Sequence, residues 1–148
     1  MVSRIRHVGF VVSNIENSLL FYNGILGLEV YKRAIENDLF ISQLTGIDDV
    51  KLEWIKLIIP EGGLIELLQY HSHPSKQFSK QTLDSLSNKI GCSHVALTVK
   101  NLDNIYKKII SSGYTTKSEP LIAPGGKAKI LYCHDPDGSI LELIEDIN

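Results

Sequence analysis

The chain has 148 residues, enough for one domain with a sizeable core, and its 43% hydrophobic and 22% charged residues are the balance of an ordinary soluble protein. A formal charge of −2 excludes a strongly basic footprint for nucleic acid or an anionic membrane, and no apolar run reaches membrane-spanning length. Two cysteines, Cys92 and Cys133, are too few for a disulfide scaffold. Met1-Val2-Ser3-Arg4 leads directly into an apolar segment instead of a secretion leader, so the expected location is the cytoplasm.

Ile5 to Val12 is rich in β-branched and apolar residues and reads as a strand. Ser13 or Asn14 can cap the helix that follows, where Glu16 suits the first turn. Ile15, Leu19, Tyr22 and Leu26 keep a helical spacing, with Gly24 and Gly27 as stop signals. Strands are expected near Glu29 to Arg33, Leu52 to Ile59 and Leu64 to Tyr70, the last two joined by the turn Pro60-Glu61-Gly62-Gly63. Glu36 to Val50 fits no element clearly.

His71 to Cys92 is mostly polar and connects two halves; Leu83, Leu86 and Ile90 fit one short helix. Its length lets the halves pair within one chain or exchange between two. His94 to Val99 is then a strand, and Asn101 caps a helix in which Leu102, Ile105 and Ile109 face one way and which Gly113 ends. Further strands fit Thr115 to Lys117, Ala128 to His134 and Ser139 to Glu145, with Asp135-Pro136-Asp137-Gly138 as a tight turn.

The second half repeats the first. Arg6-His7-Val8-Gly9-Phe10-Val11-Val12 returns as Ser93-His94-Val95-Ala96-Leu97-Thr98-Val99, and Pro60 to Leu68 returns as Pro136 to Ile144. Each copy is a β-α-β-β-β unit, and two such curved sheets with helices outside would form an open cup. Strand side chains alternate faces. Val8, Phe10 and Val12 suit the helix side, which leaves His7 on the other face; the same alternation places His94. Ile65 and Leu67 flank Glu66, and Leu141 and Leu143 flank Glu142, on the face opposite their own. Each copy thus offers one His and one Glu on its concave surface, where a carboxylate among apolar neighbours needs a partner that a divalent cation can supply.

The stretches His94 to Val99 and Asp135-Pro136-Asp137-Gly138-Ser139-Ile140-Leu141-Glu142-Leu143-Ile144-Glu145 resemble the vicinal oxygen chelate superfamily. That group includes glyoxalase I, methylmalonyl-CoA epimerase, extradiol dioxygenases, and fosfomycin and bleomycin resistance proteins. The resemblance covers two modules, 4–70 and 93–146, apart from Glu36 to Val50 and the 71–92 connection that joins them within a single domain of residues 1–148. It implies an α+β fold of two paired βαβββ modules forming an open cup-shaped sheet with helices outside. It further implies the ligands His7, Glu66, His94 and Glu142 around one divalent ion: Ni, Co, Zn or Mn, or Fe in a dioxygenase. By the same resemblance the substrate is a small molecule with vicinal oxygens and the protein is a homodimer.

Two imidazoles and two carboxylates balance a dication and leave two adjacent positions open on a six-coordinate ion. That suits a glyoxalase I-like lyase or isomerase working through a metal-bound enediolate, formed by proton abstraction beside a carbonyl. Glu66 or Glu142 is the candidate base, since in similar enzymes a ligand Glu leaves the ion to take the proton. Glu53 is the alternative base, but reads first as an exposed strand residue. Methylmalonyl-CoA epimerases usually carry Gln where Glu66 stands. Extradiol dioxygenases use two His and one carboxylate, so a fourth ligand crowds their chemistry. A non-catalytic binding or resistance protein would not require all four ligands. Val11, Tyr70 and Ile90 stand where glyoxalase I carries residues that hold glutathione, which points to another substrate. His71 and His73 are read as solvent-exposed loop residues, Cys92 as a buried structural thiol, and His134 as exposed at the turn. Pro124-Gly125-Gly126, with Lys127 and Lys129, reads as a surface loop or a rim for an anionic group.

Overall fold

The computed structural model describes residues 1–75, 87–88 and 90–147, and divides into two compact units, Met1–Gln77 and Phe78–Asn148. In the first unit Val8–Val11 forms β1 and Ile15–Leu19 forms α1, which widens into a π-helical turn over Leu20–Ile25. Asn14, not Ser13, is the cap: its side chain accepts the Asn17 N–H at 3.0 Å, satisfying one of the helix's free donors. Gly27, at φ +74°, turns the chain into β2, Glu29–Glu36. Strands β3, Leu52–Ile58, and β4, Leu64–Tyr70, complete the module.

The sheet order is β1-β4-β3-β2, with β1 and β4 parallel and the other neighbours antiparallel. Register fixes the faces. Val8 and Phe10 pair with Ile65 and Leu67, and Ile55 and Leu57 join them on the same side. Those four β3 and β4 residues are fully buried. Phe10 meets the Tyr22 ring at 5.7 Å, so this is the side on which the first helix packs. Full burial of each such side chain is worth about 1.5–3 kcal/mol, and Leu67→Ala would cost about 2–5 kcal/mol through the cavity it leaves.

Leu39–Thr45, in the stretch whose pattern gave no clear element, is a helix, α2. Asp38 caps its start by accepting the Ile41 N–H, and Gly46, left-handed at φ +69°, ends it. Its Ile41 joins Val50 and Leu52 in a small cluster with Ile47, Leu68 and Tyr70. Leu52, Leu68 and Tyr70 belong to the opposite face of the sheet from Leu67, so α2 covers one end of the face that carries Glu66.

The second unit repeats the plan with β5, His94–Thr98; α3, Leu102–Ser111; β6, Leu121–Ile122; β7, Ala128–His134; and β8, Ile140–Asp146, in the order β5-β8-β7-β6. Asn101 caps α3 as expected, and Gly113 follows it at φ +82°. The expected strand near Thr115 to Lys117 is a correction: Thr116 makes one isolated bridge to Cys133, and the edge strand proper is β6, after Pro120. Of the short helix expected from Leu83, Leu86 and Ile90, the first two lie outside the described residues, and Ile90 stands in an exposed bend. No described helix is long and apolar enough to cross a membrane.

Candidate metal-binding pairs and their surroundings

In each module the register brings one His and one Glu to the same face. Gly9 pairs with Glu66 across the parallel β1–β4 ladder, and His7 lies two residues earlier, on the same side. His7 Nε2 is 3.1 Å from Glu66 Oε2. Ala96 pairs with Glu142 in the same way, and His94 Nε2 is 3.2 Å from Glu142 Oε2. His7 is exposed and His94, Glu66 and Glu142 are partly buried, each Glu being more enclosed than its His. Within each module the described residues gather no larger group of His, Cys, Asp or Glu able to hold a metal ion.

The third member of each arrangement differs. On the ladder neighbouring Glu66 stands Lys56, and on the ladder neighbouring Glu142 stands Tyr132. Lys56 Nζ is 3.4 Å from Glu66 Oε1 and lies 4.5 Å from the centre of the Trp54 ring. Tyr132 tilts against the His94 ring at 5.0 Å, its hydroxyl 3.4 Å from Nε2, a weak contact. Burial, and then the charge of Glu142, raise the Tyr132 pKa, so its phenol keeps its proton at neutral pH. Ser93 Oγ is 3.1 Å from His94 Nδ1 and steadies the ring.

Glu53 is a correction to the sequence expectation of exposure. It is 4% exposed and lies on the helix side of the sheet, away from Glu66. Arg33 Nε donates to its Oε1 at 2.6 Å, His71 Nε2 meets its Oε2 at 2.7 Å, and Arg33 also reaches Glu16 on α1 at 2.6 Å. Desolvation alone would raise the carboxyl pKa, but the hydrogen bonds from His71 and Arg33 outweigh it, and the net shift is downward. A carboxylate so paired, on the wrong face, is a structural ion and not the base. The β2 partner that neutralises it is invisible in the local stretch Lys51 to Trp54.

His71 and His73 lie in the exposed loop after β4, as expected, and the structure adds that the His71 ring pairs with Glu53. Cys92 is exposed, not buried, because it precedes β5. His134 is 3% exposed, since the β7–β8 ladder pairs it with Ile140 and Thr115 Oγ1 meets its Nδ1 at 2.9 Å. Lys129 is on the helix side, bonded to Asp103 at 2.6 Å, and so is no part of an anion-holding rim.

The profile of the Glyoxalase/Bleomycin resistance protein/Dioxygenase superfamily matches residues 4–143. A glyoxalase family protein from Bacillus cereus superposes with a TM-score of 0.89 at 21% identity, over 100% of this chain and 97% of that one. A glyoxylase/bleomycin resistance protein/dioxygenase domain from Frankia gives 0.71 at 18% identity, over 100% and 95%. The trypanothione-dependent glyoxalase I of Leishmania major gives 0.65 at 19% identity, over 97% and 87%. These likenesses establish the fold, which is the α+β vicinal oxygen chelate fold. No protein of curated function matches the sequence.

Proposed function

The chain belongs to the Glyoxalase/Bleomycin resistance protein/Dioxygenase superfamily, and on that premise we propose that it is a divalent-metal-dependent lyase or isomerase of the glyoxalase I type. It would remove a proton from the carbon beside a carbonyl in a small substrate with two neighbouring oxygens. One observation carries this reading: each module sets one His against one Glu, at 3.1 and 3.2 Å, on equivalent register positions.

Two imidazole nitrogens and two carboxylates suit Ni, Co, Zn or Mn, and their charges balance a dication. His7, Glu66, His94 and Glu142 would hold the ion, with the two pairs supplied by one chain or by two copies in a homodimer. When bound, the ion supplies Lewis acidity to paired substrate oxygens, worth several kcal/mol, with about 1.4 kcal/mol for each tenfold in rate. Glu66 or Glu142 then takes the substrate proton on a carboxylate oxygen. Tyr132 and Ser93 hold the His94 ring in place. Metal analysis after incubation with nickel, cobalt, zinc or manganese tests the first step; a stoichiometric ion is expected, and a trace amount rejects the reading. Deuterium uptake from solvent into 2-oxo or thioester compounds tests the second, while dioxygen consumption with catechols and ferrous iron would favour a dioxygenase.

A second reading rests on Lys56. Its ammonium already neutralises Glu66 at 3.4 Å, as in a small-molecule binding or resistance protein that uses this face without metal. The same metal analysis separates the two.

A further inference from the structure

We infer that Lys32 and Lys56, set around Trp54, form a subsite for an anionic group of the substrate, a carboxylate or a phosphate. The inference deepens the proposed function by naming the substrate class, and it rests on that reading only in placing the anion beside the His7–Glu66 pair.

Lys32 and Lys56 are direct cross-strand partners on β2 and β3, immediately after a register shift between Val30 and Lys32. The bulge puts Lys32 on the face that carries Lys56, Trp54 and Glu66. Both ammonium groups approach the same indole, at 5.6 and 4.5 Å from its centre. Like charges directly opposite one another on a sheet destabilise it, and a single buried Trp ring, 8% exposed, offsets this only in part. Glu66 is the one carboxylate in contact with either lysine among the described residues. Two cations against one anion leave an excess positive charge here, and the excess grows when Glu66 turns to another partner. Module two has no counterpart, because Tyr132 stands where Lys56 stands and contributes a phenol.

Trp54 is the single tryptophan of the chain, so its fluorescence reports this site alone. Metal-free and nickel-incubated protein is titrated at constant ionic strength with pyruvate, with inorganic phosphate and with the neutral analogue pyruvamide. Pyruvate or phosphate should give a saturable change, and whichever binds more tightly identifies the carboxylate or phosphate source; pyruvamide should give none. Lys32→Gln and Lys56→Gln should each weaken anion binding about five- to tenfold, as expected for loss of one charge-assisted contact. Lys107→Gln, an exposed lysine on α3, should change nothing. Equal responses to pyruvate and pyruvamide, no saturable response to either anion, or unchanged binding in both lysine variants would overturn the inference. Anion discrimination without nickel uptake leaves this subsite standing while rejecting the metal reading, and nickel uptake with indifferent lysines does the reverse.

Discussion

Glu53 and Lys129 hold equivalent positions in the two sheets, each paired across the ladder with the side chain that caps its module's helix, yet they carry opposite charges. In module two Lys129 reaches Asp103 on α3 directly, and its pKa is raised first by that hydrogen bond. In module one Glu53 faces the matching acid, Glu16 on α1, and Arg33 stands between them as the bridging cation. The inversion is balanced by one residue on the edge strand.

That relationship predicts a rescue. Arg33→Ala leaves Glu53 buried with His71 alone and should cost about 1–3 kcal/mol in urea unfolding. Glu53→Lys alone should also destabilise, by setting a second cation against Arg33. Combining Arg33→Ala with Glu53→Lys removes that repulsion and lets the introduced ammonium reach Glu16, so the double variant should recover part of both losses. Strict additivity in the cycle would refute the bridge.

The downward shift of Glu53 sets an acid limb. Its folded pKa lies below the ordinary 4.5, so the unfolded chain binds the proton more readily. The contribution is fully present above that ordinary value and is lost as pH falls through the folded pKa. Stability should therefore decline below about pH 4.5, and Glu53→Gln should flatten that decline while lowering stability at pH 7. An identical acid slope in the variant rules out this source.

The helix starts are held by residues from the last strand of each module. Glu145 accepts the Asn101 and Leu102 N–H groups at 2.6 and 3.2 Å, and Gln69 accepts the Ile15 N–H at 2.7 Å. Glu145→Ala should cost about 1–2 kcal/mol, and Glu145→Gln less, since the neutral amide of Gln69 already serves at the matching place. Thermal melts that fail to rank the two variants in this order contradict the capping role.

The four candidate ligands should behave as a unit. His7→Ala, Glu66→Gln, His94→Ala and Glu142→Gln should each lower nickel affinity more than about tenfold, without large losses of stability. If variants of only one module matter, by equilibrium dialysis, the four do not share an ion.

The two thiols should separate cleanly. Burial, and then the charge of Asp135, push Cys133 up to about 12, whereas Cys92 is exposed. At pH 8 about one Cys133 in ten thousand is thiolate. A chromogenic disulfide reagent should titrate one thiol in native protein and two in denaturant; two native equivalents would show that Cys133 is accessible.

The sequence by itself determined the repeat, its strand faces and the location of each His and Glu. Period-two alternation and duplicated turns are local signals, and the buried face of each strand leaves its register little freedom. It also named Asn101 as a cap, because that chemistry spans only a few residues. Only the tertiary structure decided that Glu53 is a buried ion, that Glu36 to Val50 contains a capped helix, and that Lys32 stands opposite Lys56. Glu53 and Lys32 depend on partners distant in the chain or on a bulge that shifts a strand by one residue. The helix carries local caps, Asp38 and Gly46, but its Ile41 is buried only by packing in a cluster with Leu68 and Tyr70 far along the chain. A side chain's charge can be read where it occurs, but the charge that balances it is chosen by pairing between strands.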